Sequence, residues 1–223
     1  MVSFKRMRFP PEVIVQCVYW YCRFSLSYRD IEEMMKDRGV DVDHSTINDW
    51  VIKFLPQLEV EFRKRKKRAG TSWRADETYI KANGKWKYLY RAVDKDGNTI
   101  DFLLTAKRNL KAAKRFFKKA IDNNGAPEKI NIDKSGANKA GIEHYNKEND
   151  SNIEIRQCKY LNNIVEQDHR FIKRIIRPML GFKNFFSASI TMAGIEIVRM
   201  IKKGQMFSQM QDSCFQKFYS LAF

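Results

Sequence analysis

The stretch SWRADETYIKANGKWKYLYRAVDKDGNTIDFLLTA, residues 72–106, carries two turn dipeptides, Asn83-Gly84 and Asp96-Gly97, between runs rich in aromatic and β-branched residues. Both dipeptides accept the backbone angles a tight hairpin demands, and they are the strongest short hairpin signals a sequence offers. SWRADETYIK, KWKYLYRAVD and NTIDFLLTA therefore read as three strands of an antiparallel meander. Downstream the period changes. A helix is expected from about Leu110 to Asp122, with Ala113, Phe116, Phe117 and Ala120 on its buried side and Asn124-Gly125 ending it. EKINID is a short fourth strand, residues 135–149 a helix, and NIEIRQCKY a fifth strand. From about Asn163 the chain is helical, interrupted near Pro178 to Gly181 and resuming over 187–203. The order βββαβαβα is that of an α/β domain with a mixed sheet.

Upstream the period is helical. Pro10 and Pro11 open a first helix whose Val13, Ile14, Cys17, Val18 and Tyr21 form an apolar stripe. Ser27 caps a second, with Asp30 completing a capping box, Ile31, Met34 and Met35 facing inward, and Gly39 at its end. VDVDHSTINDWVIKF then offers Asp43, His44 or Ser45 as the cap of a third helix with Ile47, Trp50, Val51 and Phe54 on its apolar face. Two short helices about a glycine-containing turn are the sequence form of a helix-turn-helix, in which Thr46, Asn48, Asp49 and Lys53 are left outside for base edges and phosphates. A helical hairpin that binds no DNA has the same pattern. RKRKKR, Arg63 to Arg68, cannot pack against itself and reads as a solvated linker whose Arg63, Lys64, Arg65 and Lys66 can track a phosphate backbone. The resulting organisation is a small all-α helix-turn-helix domain over 1–56, a basic linker over 57–71, a mixed-sheet domain over 72–205, and a stretch without an assigned role over 206–223.

With 42 Lys+Arg against 26 Asp+Glu, the chain carries a net charge of +16, which points to a polyanion as partner, nucleic acid before membrane. Its four cysteines show no CxxC spacing and no neighbouring histidine pair, so neither a zinc site nor a disulfide framework is indicated. The most apolar run, VIVQCVYWYC over 13–22, is short and broken by Gln16, and no cleavable signal pattern precedes it. A cytoplasmic protein without membrane attachment is the expectation.

Three acids stand out by position. Asp76 lies inside the first strand, Asp133 ends the fourth, and Glu166 sits in the first turn of the helix after the fifth. The first and fourth strands of such a sheet can be neighbours, and the helix can bring Glu166 over both. Carboxylates converging without lysines repel one another, which makes sense if cations sit between them. Mg²⁺ is the natural ion, and two ions about 3.5–4 Å apart can drive in-line attack on a phosphodiester. Beyond Glu166, on the same helix face, Arg170, Lys173 and Arg177 can hold the DNA backbone, with Arg174 beside them. The alternative is a surface helix with an ordinary Glu166/Arg170 ion pair near its N-terminus.

DETYIKANGKWKYLYRAVDKDG, KYLNNIVEQDHRFIKR and AGIEIVRMIKKGQ closely resemble the IS6 (IS26-like) transposases of bacterial insertion sequences, members of the DDE group; LSYRDIEEMMKDRGVDVDHSTINDWV resembles their N-terminal DNA-binding region. The resemblance implies an RNase H-like catalytic domain whose triad maps onto Asp76, Asp133 and Glu166, with 32 residues between the last two. It implies two Mg²⁺ ions, Mn²⁺ being the alternative, with Asp76 bridging both and Asp133 and Glu166 each completing one. Lys173 matches the basic residue that accompanies the triad and contacts DNA. The enzyme would bind the terminal inverted repeats of its element, nick to free a 3′-hydroxyl and join it to target DNA, ending in a replicative cointegrate. Double-stranded DNA, both element ends and target, would be its partner, a homodimer or larger synaptic assembly its working form, and the bacterial nucleoid its place.

Two rival readings remain: a DNA-binding relic or regulator without catalysis, and an RNase H-like nuclease acting on RNA or hybrids. His169 reads as a DNA contact or packing residue, His44 as a cap or phosphate contact, and His144 as a surface residue. Strand alternation points Glu77 away from Asp76, so only one of the two is expected in the site. Trp20, Trp50, Trp73 and Trp86 read most simply as core or domain-interface aromatics, with base stacking by any of them the lesser reading.

Overall fold

The structure is a computed structural model that describes residues 2–208 and 213–223. The chain forms two compact units, Met1–Lys67 together with Ile172–Phe223, and Arg68–Phe171.

In the Arg68–Phe171 unit, β1 (Ser72–Ala82), β2 (Lys85–Asp94) and β3 (Thr99–Thr105) form the meander that the two turn dipeptides dictate. Asn83 and Gly84 take φ of 50° and 69°, and Gly97 takes 80°, the left-handed angles such turns require. α4 (Leu110–Asn124), β4 (Lys129–Ile132), α5 (Gly136–Glu148) and β5 (Glu154–Gln157) follow. The sheet order is β3-β2-β1-β4-β5, with β4 and β5 parallel to β1. This is an RNase H-like mixed sheet. One face carries Trp73, Ala75, Tyr90 and Ala92 against Ala113, Phe116, Phe117 and Ala120 of α4 and Ile142 of α5. Gly141 makes close helix contact possible there, since a Cβ on it would lie 3.0 Å from Ala113 Cβ. β5 is shorter than NIEIRQCKY suggests. β4 offers it only four partners, Lys129 to Ile132, after which the chain turns through a 3₁₀ segment, Lys159–Asn162, into α6 (Asn163–Ile176).

The other unit contains α1 (Pro11–Arg23), α2 (Tyr28–Lys36), α3 (His44–Arg65), α7 (Phe185–Lys202) and α8 (Cys214–Tyr219). The Ser27/Asp30 capping box forms, Gly39 turns left-handed at φ 74° after α2, and Asp43 is the cap of α3. The expected linker over 57–71 is corrected: α3 continues through Pro56 to Arg65. A proline removes one backbone hydrogen bond, but here Leu55, Leu58 and Phe62 are fully buried, so packing carries the helix past it. Glu59–Arg63 and Glu61–Lys64 pairs at 2.6 and 2.8 Å hold its basic end helical. The chain then bridges Lys66 to Met206, with Lys67 N–H donating to the Gln205 carbonyl.

α7 groups with these N-terminal helices and not with the sheet, although 72–205 was the expected extent of one domain. Its Gly194 explains why: a Cβ there would come within 2.5 Å of Cys22 Sγ and 2.6 Å of a Leu55 methyl, so only glycine lets α7 lie this close to α1 and α3. Of the stretch 206–223, residues 213–223 include α8, capped by Ser213 and Gln216, while 209–212 lie outside the described residues. Among the described residues, no helix is long and apolar enough to cross a membrane.

Candidate active site

β1 and β4 run parallel with Arg74 opposite Asn131, so Asp76 lies level with the first residue beyond β4, Asp133. That neighbourhood follows from the sheet order. β1 continues for several residues past the end of β4, leaving its edge unpaired on that side. Side chains from both faces of β1 can therefore reach the same space. Among the described residues, ligand oxygens of Asp76, Glu77 and Asp133 lie within 4.8 Å of one another. The expected exclusion of Glu77 by strand alternation is thereby corrected: alternation separates side chains across a paired strand, not around a free edge.

Glu77 is held from the far side of the sheet. Arg108, just before α4, donates from Nε to its Oε1 at 2.8 Å, and Asn138 of α5 donates from Nδ2 to its Oε2 at 3.1 Å. Arg108 Nη2 also lies 3.5 Å from Asp133 Oδ2, while Asp133 Oδ1 accepts the Ser135 N–H at 2.9 Å. Burial raises the Glu77 carboxyl above its ordinary range, with Arg108 and Asn138 working against that rise. Among the described residues no such guanidinium pairs with Asp76. Burial first, then the negative charges of Glu77, Asp133 and Glu166, push it up to about 6, against a bond from the Glu77 backbone N–H.

α6 is seated by polar anchors. Asn131 on β4 donates to the Cys158 carbonyl at 2.9 Å and to Asn162 Oδ1 at 2.6 Å, fixing the segment that leads into the helix. Arg91, opposite Asp76 on β2, pairs with Asp168 at 3.3 Å, both buried. His169 Nδ1 lies 3.6 Å from Asp76 Oδ2 and is buried, a packing position and not an exposed DNA contact. Glu166, in the first turn, is exposed and outside the close group of three, yet near enough for its charge to act on Asp76. Among the described residues no ion pair joins it to Arg170.

The donor set is all oxygen and three of its members crowd without a lysine, which suits a hard divalent cation. Oxygens facing each other across Mg²⁺ span about 4 Å, so a 4.8 Å spread needs only small side-chain rotations. In the metal-free protein, carboxyl-carbon NMR should find Asp76 titrating near pH 6. Its raised value means the protonated form is favoured by folding: that stabilisation is complete below about pH 4 and is lost as pH rises through about 6. Asp133→Asn should move the midpoint down by removing a repelling charge; an ordinary value in the parent protein would show that the acids do not crowd.

The expected DNA contacts fall in several places. Thr46 and Asn48 are half-buried and Lys53 exposed on α3, where Lys53 also reaches Met7 Sδ at 3.3 Å. Arg170, Lys173 and Arg174 are exposed on α6. The basic run is engaged: Arg63 with Glu59, Lys64 with Glu61, and Arg65 with the Ser220 carbonyl at 2.8 Å, while Lys66 is half-buried in its bridge. His44 bonds Glu32 at 2.8 Å, and His144 pairs with Glu148 at 2.7 Å. Sequence reasoning missed Arg108 and Asn138, for which no local signal exists. It also missed Arg91, for which one does: counting rungs back from Asn83-Gly84 sets Arg91 opposite Asp76.

A family model described as a DDE domain, of the IS240 type, matches residues 70–205, and one described as Transposase IS66 family matches residues 6–127. The chain is 39% identical over 207 residues to the transposase for insertion sequence-like element IS431mec of Staphylococcus aureus strain N315, covering 91% of this chain and 90% of that one. Identity and coverage are the same for the transposase for insertion sequence element IS257 in transposon Tn4003 of Staphylococcus aureus. Among solved structures, the catalytic core domain of BIV integrase aligns at 15% identity with a TM-score of 0.47, covering 68% of this chain and 95% of that one.

Proposed function

Because the chain belongs to the IS6 (IS26-like) family of insertion-sequence transposases of the DDE group, we infer that it binds the terminal inverted repeats of its element, nicks to free a 3′-hydroxyl and joins that hydroxyl to target DNA. One observation carries the catalytic reading: Asp76, Glu77 and Asp133 crowd at the open edge of β1, with Glu166 within charge range. Asp76, Asp133 and Glu166 would hold the metal. Mg²⁺ or Mn²⁺ bound there, two ions by family resemblance, would supply charge stabilisation for the attacking and leaving oxygens. Arg108 holds Glu77 and Asp133 in place and offsets part of the negative charge that DNA must approach. Arg91 and Asp168 keep α6 against the sheet, which sets the position of Glu166.

The helices α1 to α3 act as the DNA-reading part, with Thr46 and Asn48 toward base edges and Lys53 toward phosphate; the Arg68–Phe171 unit carries the catalytic acids. Arg170, Lys173 and Arg174, exposed on α6, grip the DNA backbone. Arg63, Lys64, Arg65 and Lys66 add to the positive field, each already engaged within the protein. Two chains bring two ends together, as a homodimer or larger synaptic assembly at the bacterial nucleoid, and the product is a replicative cointegrate. The test is a joining reaction with purified protein, labelled element-end DNA, a target plasmid and Mg²⁺. Joined product that disappears with EDTA is the expected result. End-specific binding without joining overturns the catalytic reading in favour of a DNA-binding relic or regulator.

A further inference from the structure

β4 leaves β1 after Arg74, and β3 pairs with β2 only from Tyr88 onward. Beyond the Tyr79–Tyr88 rung, β1 and β2 pair only with each other, through Ile80–Lys87, Lys81–Trp86 and Ala82–Lys85, as a two-stranded ribbon. Opposite residues in an antiparallel pair share a face, and alternate rungs repeat it. Glu77–Tyr90, Tyr79–Tyr88 and Lys81–Trp86 therefore line one face from the acid cluster to the ribbon tip.

The rings on that face contact one another. Tyr79 meets Trp86 edge-on at 6.2 Å and Tyr88 at 5.3 Å. Tyr79 is 49% and Trp86 61% exposed, whereas Trp50 and Trp73 are each 2% exposed. Of the readings the sequence left for Trp86, its exposure removes the core one. A lone exposed aromatic needs no explanation. A cluster of rings in edge-on and tilted contact, on a ribbon whose Lys81 and Lys85 are exposed, forms a platform with a positive rim. That combination suits unpaired nucleic acid, whose bases stack on aromatic rings while lysines follow the phosphates. The platform is also continuous with the site: Tyr79 lies two residues beyond Glu77, about 7 Å along the strand.

We propose that the Tyr79–Trp86–Tyr88 face of the β1–β2 ribbon is a stacking site for unpaired nucleotides of the DNA strand held at the acid cluster. The proposal rests on the DNA-joining reading but is tested separately from it. Full-length protein is titrated, in EDTA, with a fluorescein-labelled single-stranded 12-mer and with a duplex of the same sequence, by anisotropy. Trp86→Ala and Tyr79→Ala should weaken single-strand binding roughly tenfold more than duplex binding, and Trp86→Phe should restore most of the loss. Both side chains are exposed, and circular dichroism melts verify that each variant folds.

Equal losses on single strand and duplex would leave only a general electrostatic role, and unchanged single-strand affinity would remove the site altogether. A changed subunit mass by light scattering, with single-strand binding intact, would make the ribbon a contact between copies and overturn the proposal. Because no divalent ion is needed, a protein that fails to join DNA can still pass this test. A joining-competent protein can likewise fail it.

Discussion

Asp76→Asn and Asp133→Asn should each abolish strand joining, by on the order of 10³-fold or more, while affinity for element-end DNA stays within about threefold of the parent. On the proposed reading, removing either carboxylate would take away a metal ligand on which charge stabilisation of the reacting oxygens depends, whereas reading of the ends is assigned to the N-terminal helices. The sharper comparison is between Glu166→Gln and Glu77→Gln. Glu77 is the acid in close company with Asp76 and Asp133, but Arg108 and Asn138 already occupy both its oxygens. Glu166 is outside that close group and exposed, and among the described residues no ion pair engages it. Glu166→Gln should therefore match the aspartate variants, and Glu77→Gln should lose only about tenfold, through misplacement of Arg108 and Asp133. The reverse ranking in a single-turnover joining assay would make Glu77 the third ligand and give Glu166 a lesser part. A twofold effect at Asp133 would remove the site from consideration.

Arg91→Met should destabilise the sheet unit by about 3–5 kcal/mol in urea unfolding, because it leaves Asp168 buried without its guanidinium. Both members are buried, so neither can turn to water without opening the seat of α6. Asp168→Asn should cost less, since an amide still offers Arg91 an oxygen. Arg91→Met combined with Asp168→Leu should regain much of the loss, as replacement of a buried pair by apolar residues often does. A single-variant cost under about 1 kcal/mol would mean the pair is hydrated and does not anchor the helix. The effect reaches function through α6, which carries Glu166 two residues before Asp168: a loosened helix should also lower joining without changing which ends are bound.

Much of this molecule is legible in its residues because the signals are local. Asn83-Gly84 and Asp96-Gly97 dictate two hairpins, Ser27 with Asp30 dictates a helix start, and the apolar spacing of α4 dictates which side is buried. The same hairpin register places Arg91 opposite Asp76, and the order of elements allows β1 beside β4. Asp133 follows as a neighbour of Asp76 because it is the first residue past the shorter strand. Other features depend on what lies across the fold. Pro56 reads as a helix end until Leu55, Leu58 and Phe62 are seen to be buried, and packing then outweighs one lost hydrogen bond. α7 reads as part of the sheet domain until Gly194 is seen against Cys22 and Leu55.

Glu77, Arg108 and Asn138 belong to the same class, since their meeting needs a strand edge left open, a loop before α4 and the first turn of α5 together. Trp86 reads as a core or interface aromatic from its type alone, and its exposure is decided by where β3 and β4 stop. The sequence by itself thus determined most of the elements and allowed β1 beside β4 with Asp76 and Asp133 along them, because turns, caps and periodicity act over a few residues. Only the tertiary structure decided which charges are paired, which acids Arg108 reaches, and which aromatic faces are left open. Those depend on groups far apart in the chain, and their energies are set by burial and distance.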